Sequence, residues 1–64
     1  MKENYIYVYD EKKKRTSKWV VVWFEDEKVY AKDFFFKQFG GRDEAEKEAL
    51  DFLKFLNENI NKLI

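Results

Sequence analysis

The sequence predicts an α+β domain, a three-stranded antiparallel meander sheet packed on one C-terminal α-helix. Three observations carry that expectation. Residues 5–36 hold three runs rich in aromatic and β-branched side chains, separated by short polar stretches, as strands joined by local loops do. Gly40 and Gly41 interrupt that pattern, and after them apolar residues recur at steps of three and four, the spacing of a helix face. The chain has only 64 residues, which is room for one small core. Residues 1–64 are therefore expected to form a single domain, with the sheet over about 4–36 and the helix over about 43–63.

The first strand is YIYVYD, residues 5–10, and it leads into the polar run DEKKKRTS, where Lys12, Lys13, Lys14 and Arg15 make the densest block of positive charge. A charge run in a hairpin loop is usually a solvated tip. The second strand is KWVVVWFE, residues 18–25, apolar without a break from Trp19 to Phe24. A strand that is apolar on both faces needs cover on both. Glu25, Asp26 and Glu27 read as a three-residue turn, and the third strand begins at Lys28 with KVYAKDFFF.

After the two glycines, Asp43 and Glu46 have the spacing of a capping box, and acidic residues crowd the first turn, where the helix dipole favours them. The helix is expected from about Glu44 to about Lys62. Ala45, Ala49, Phe52, Leu53, Leu56, Ile60 and Leu63 form its apolar stripe, flanked by Leu50 and Phe55. One stripe can cover one face of the sheet. Asp43 with Lys47 and Glu58 with Lys62 have the spacing of favourable pairs on the wet side.

With a three-residue turn, Phe24 pairs with Lys28, Val22 with Tyr30 and Val20 with Lys32 on one face. Trp19, Val21 and Trp23 then share the other face with Val29, Ala31, Ile6 and Val8. That second set is the natural bed for the helix, with a core of Trp19, Val21, Trp23, Phe34, Phe39, Phe52, Leu53 and Leu56. The uncovered face would hold all four tyrosines, Tyr5, Tyr7, Tyr9 and Tyr30, around Val20, Val22 and Phe24, with Lys18, Lys28 and Lys32 beside them. A turn one residue shorter or longer would invert this phasing.

Composition narrows the function classes. The chain has neither cysteine nor histidine, which removes disulfides, thiolate metal sites and the commonest ligand and acid–base side chain. Glu25, Asp26 and Glu27 lack the alternating ligands and the glycine of a calcium loop. No pocket is implied by this layout, so an enzyme, a cofactor and a small-molecule substrate are not expected. Thirteen basic and thirteen acidic residues cancel, whereas dedicated nucleic-acid binders are usually strongly basic. Residues 1–41 carry nine basic and seven acidic side chains against four and six in residues 42–64, a slightly positive sheet on a slightly negative helix. No run reaches the ~20 apolar residues of a membrane span, so no membrane partner is expected and a soluble, intracellular domain is. Aromatics make up 20% of the chain, a surplus that a function has to explain.

These elements together resemble the Apetala-two / ethylene-response-factor DNA-binding domain, in particular the version found in apicomplexan transcription factors. Trp19, Val21 and Trp23 are similar to that family's Trp-x-Ala-x-aromatic second strand. Phe34, Lys37, Phe39 and Gly40 match its Phe-x-x-Lys-x-aromatic-Gly run, and Ala45 and Ala49 its spaced helix alanines. The resemblance spans roughly residues 6–60. It implies a three-stranded sheet crossed by a helix, with the free sheet face docking in the major groove of duplex DNA. By resemblance and phasing, the DNA contacts would be Lys18, Lys28, Tyr30, Lys32, Tyr7, Tyr9, Lys13, Lys14 and Arg15. The chain would then serve in a transcriptional or chromatin regulator in the nucleus. Where the family tends to carry polar base readers, this sequence has Tyr9, Val22 and Phe24. The loop between the first two strands is also longer than usual, and one extra residue separates Gly40 from Ala45. An alternative follows from the same face: Val20, Val22, Phe24, Tyr5, Tyr7 and Tyr30 would contact a second copy of the chain or another protein. Exchange of the helix between two chains would serve the same end.

Overall fold

A computed structural model of the chain describes residues 3–10 and 16–62, with backbone alone for residues 59–62. Three strands, β1 (Tyr5–Tyr9), β2 (Lys18–Glu25) and β3 (Lys28–Phe35), form one antiparallel sheet in the order β1-β2-β3. A single helical turn, α1 (Phe36–Phe39), follows β3, and α2 (Arg42–Lys62) closes the chain. The α+β architecture is the one that the residue pattern predicts.

Register decides which side chains face the helix. Between β2 and β3, Glu25 pairs with Lys28, Trp23 with Tyr30, Val21 with Lys32 and Trp19 with Phe34. The loop is therefore two residues, Asp26 and Glu27, at φ 51° and 65°. Two left-handed residues in a two-residue loop are the mark of a type I′ hairpin, whose twist matches that of the strands it joins. The expected three-residue turn is corrected by one residue, and with it the side chains from Lys28 to Lys32 change face, while Phe34 is in the core as expected. Lys28, Tyr30 and Lys32 share the helix side with Trp19, Val21 and Trp23, while Val29 and Ala31 stand on the open side. The first hairpin has the expected phasing: Ile6 pairs with Val21 and Val8 with Trp19, while Tyr5, Tyr7 and Tyr9 lie opposite Val22, Val20 and Lys18. Three tyrosines, not four, occupy the open face.

The core forms where α2 crosses the inner face of the sheet. Val21, Phe34 and Ala49 are buried at its centre, with Ile6, Trp19, Trp23, Phe39, Phe52, Leu53 and Leu56 packed around them. Every residue expected in the core is there. Ala45 and Ala49 have no exposure, so their small side chains bring the helix backbone close to the sheet. Phe52 meets Trp23 edge-on at 5.3 Å and Phe34 at 5.7 Å, while Phe34 also reaches Phe39 at 5.7 Å. Such pairs contribute about 0.5–1.5 kcal/mol each beyond their burial. Tyr30 stacks on Trp23 at 5.6 Å, and the Lys32 ammonium lies 4.8 Å from the Phe52 ring centre and 5.4 Å from that of Phe34. The corrected register thus makes Tyr30 and Lys32 a lid on the core.

Polar contacts fix the ends of the helix. The Trp19 indole Nε1–H donates to the Arg42 carbonyl at 3.0 Å, and the Arg42 guanidinium lies over the Trp19 ring and 3.3 Å from the Asp10 carboxylate. Towards the other end, Asn4 Nδ2 donates to Asn57 Oδ1 at 3.1 Å while Asn4 Oδ1 accepts from the Phe24 amide at 3.2 Å. Gly40 ends α1 at φ 90°, and the Gly41 amide donates back to the Phe36 carbonyl at 2.8 Å. Ala45 N–H then donates to the Gly41 carbonyl at 3.0 Å, so α2 is under way by Arg42. Asp43 lies inside the first turn beside Glu44 and not at the N-cap, which corrects the expected capping box. The left-handed glycine turn starts the helix before Asp43 can cap it. On the wet side, Lys54 and Glu58 stand 4.0 Å apart one turn from each other.

Candidate contact face of the sheet

The face turned away from α2 is built from alternate residues of all three strands: Tyr5, Tyr7 and Tyr9, then Lys18, Val20, Val22 and Phe24, then Val29, Ala31, Asp33 and Phe35. Period-two alternation puts them there, since each strand sends its other residues into the core. No helix covers this side, yet Val20 is 2% exposed and Val22 6%. Val20 lies between Tyr7 and Asp33 in the ladder, and Val22 between Tyr5 and Ala31. Tyr5 lies 6.2 Å from Tyr7 and 6.4 Å from Phe24, ring centre to ring centre, along one end of the row. The tyrosines carry the exposure instead, at 43–48%, with Val29 at 61%. Water therefore meets a layer of aromatic and aliphatic carbon two side chains deep.

Among the described strand residues of this face, charge is confined to one pair. Lys18 Nζ sits 2.9 Å from Asp33 Oδ2 and 5.4 Å from the centre of the Phe35 ring. At that end an open groove of about 530 Å³ runs between Tyr7, Tyr9, Thr16, Lys18 and Phe35.

Of the expected DNA contacts, Lys18, Tyr7 and Tyr9 stand on the open face, whereas Lys28, Tyr30 and Lys32 belong to the opposite face by the register of the second hairpin. Lys13, Lys14 and Arg15 lie outside the described residues. Of the expected protein contacts, Val20, Val22, Phe24, Tyr5 and Tyr7 are together on the open face, and Tyr30 is not. Sequence reasoning missed Val29, Ala31, Asp33 and Phe35. A two-residue turn between β2 and β3 would have placed all four.

Comparison with protein-family models, with curated proteins and with solved structures gives no match for this chain. The residues that carry the Apetala-two resemblance have clear places in the fold. Trp19, Val21, Trp23, Phe34, Phe39 and Ala49 meet in the core, and Gly40 turns the chain. They act in packing, and so do not bear on what the outer face touches.

Proposed function

We propose that this domain is a protein-contact module whose working surface is the open face of the sheet. The observation that carries this reading is the composition of the face: three half-exposed tyrosines, Phe24, Val29, Ala31 and Phe35 in one patch, where, among the described strand residues, the one cation is held by the one anion. Aromatic side chains at the centre and few unpaired charges mark the buried part of protein interfaces. Monomers rarely leave a large contiguous patch of that kind to water. Duplex DNA is the weaker fit for this face. Major-groove reading needs arginine, lysine or amide side chains aimed at base edges, and phosphate binding needs free cations. Lys18 is engaged by Asp33, and Lys28 and Lys32 stand on the other side of the sheet.

A photo-crosslinking side chain placed at Ala31, opposite Val22 on the open face, tests the reading in cells that make the chain. The expected outcome is a discrete protein adduct that does not form when the same group replaces Lys47 on the exposed side of α2. Nucleic-acid adducts in its place, or adducts indifferent to position, would overturn it.

A further inference from the structure

We infer that the occupant of the open face is a second copy of this chain, docked sheet to sheet with the two helices outermost. This rests on the contact reading above and names its partner. The side chains of β2 are apolar on both faces from Trp19 to Phe24. Within the chain α2 covers the side with Trp19, Val21 and Trp23; on the other side Val20 and Val22 are buried as well, but Tyr5, Tyr7, Tyr9 and Val29 around them stay exposed. A second sheet laid on the first at the usual ~10 Å separation would cover that exposed aromatic and aliphatic layer, which the single chain leaves to water.

Area supports the same occupant. Three tyrosines near half exposure, Val29 at 61% and the edges of Phe24, Ala31 and Phe35 leave on the order of 500 Å² of apolar surface. Two such faces together remove about 1,000 Å², the size at which a specific interface begins. Charge supports it as well. A two-fold contact sets each face against itself, so any unpaired charge would meet its own kind across the axis. Among the described strand residues of the face, Lys18 and Asp33 are the charged ones and neutralise each other within one chain at 2.9 Å, so this pair adds no such penalty. The cations Lys28 and Lys32, which would repel in such a contact, are on the far side of the sheet.

Sedimentation of the whole chain from micromolar to about 1 mM concentration, the range of weak specific dimers, is the test. The wild type should move from one chain mass to two as concentration rises. Ala31→Arg adds bulk and charge on the face beside Val22 without removing a buried group, and should stay at one chain mass while keeping wild-type circular dichroism and tryptophan emission. Val29→Lys should do the same. Leu50→Lys, on the exposed flank of α2, should dimerise as the wild type does. A wild type that keeps one chain mass throughout overturns the second copy as occupant. The contact reading then fails too only if the crosslinker at Ala31 yields no protein adduct, and survives if the adduct is a different protein. Dimers undiminished in Ala31→Arg and Val29→Lys would move the association off this face and overturn the inference as well.

Discussion

Asp26 and Glu27 hold the second hairpin in a conformation that ordinary side chains resist, because at positive φ the Cβ crowds the following carbonyl at a cost of about 1–2 kcal/mol. Aspartate tolerates this conformation, as in Asp-Gly turns, but glutamate at the second position has none of the relief that glycine gives there. Glu27→Gly should therefore stabilise the domain by about 0.5–1 kcal/mol once the extra entropy of an unfolded glycine is counted. In a domain of this size that raises the thermal midpoint by about 4–8 °C per kcal/mol. A midpoint that falls would show that the turn is not left-handed at this residue. Gly40 tests the same physics with the opposite sign. At φ 90° a Cβ there would meet nothing closer than the Glu44 side chain at 4.0 Å, so the cost of Gly40→Ala is conformational alone. It should be about 1–2 kcal/mol, read from chemical denaturation.

At the scale of elements, the close approach of α2 to the sheet depends on Ala45 and Ala49, both without exposure. Ala49→Leu should push the helix off Val21 and Phe34 and cost about 1–3 kcal/mol, while Leu50→Ala, next in sequence but 45% exposed, should stay within about 0.5 kcal/mol. Equal losses from the two changes would mean that the helix is rotated from the orientation described. The helix was legible because its stripe repeats over several turns, so no single residue decides it. β1 and β2 were legible for the same reason. The phase of β3 was not, because it hangs on one residue of loop length, and Asp26-Glu27 carries none of the asparagine–glycine chemistry that announces a two-residue turn. That single residue moved Lys28, Tyr30 and Lys32, three of the nine expected DNA contacts, to the core side. α1 was hidden as well: FFFKQF continues the aromatic run of β3, and only the amide of Phe36 donating to the Ser17 carbonyl at 3.0 Å marks where the chain leaves the sheet.

The whole molecule balances a small core against a second apolar surface that it cannot bury alone. If two chains bury it together, folding and association become one equilibrium, and stability depends on concentration. Once the dimer is populated, a hundredfold rise in protein concentration favours the folded pair by about 2.7 kcal/mol, or about 1.4 kcal/mol per chain. For a domain of this length, that raises the thermal midpoint by roughly 6–11 °C. A monomer has no such dependence, since one folded chain becomes one unfolded chain at any concentration. Ala31→Arg should flatten the curve and leave the midpoint close to that of the wild type at its lowest concentration, because the arginine blocks docking while Val20, Val22 and the core beneath them stay packed. A midpoint independent of concentration in the wild type would place all of the stability in the single chain. The tyrosine layer over Val20 and Val22 would then be the second cover that β2 needs, and the face would have to find its partner in another protein.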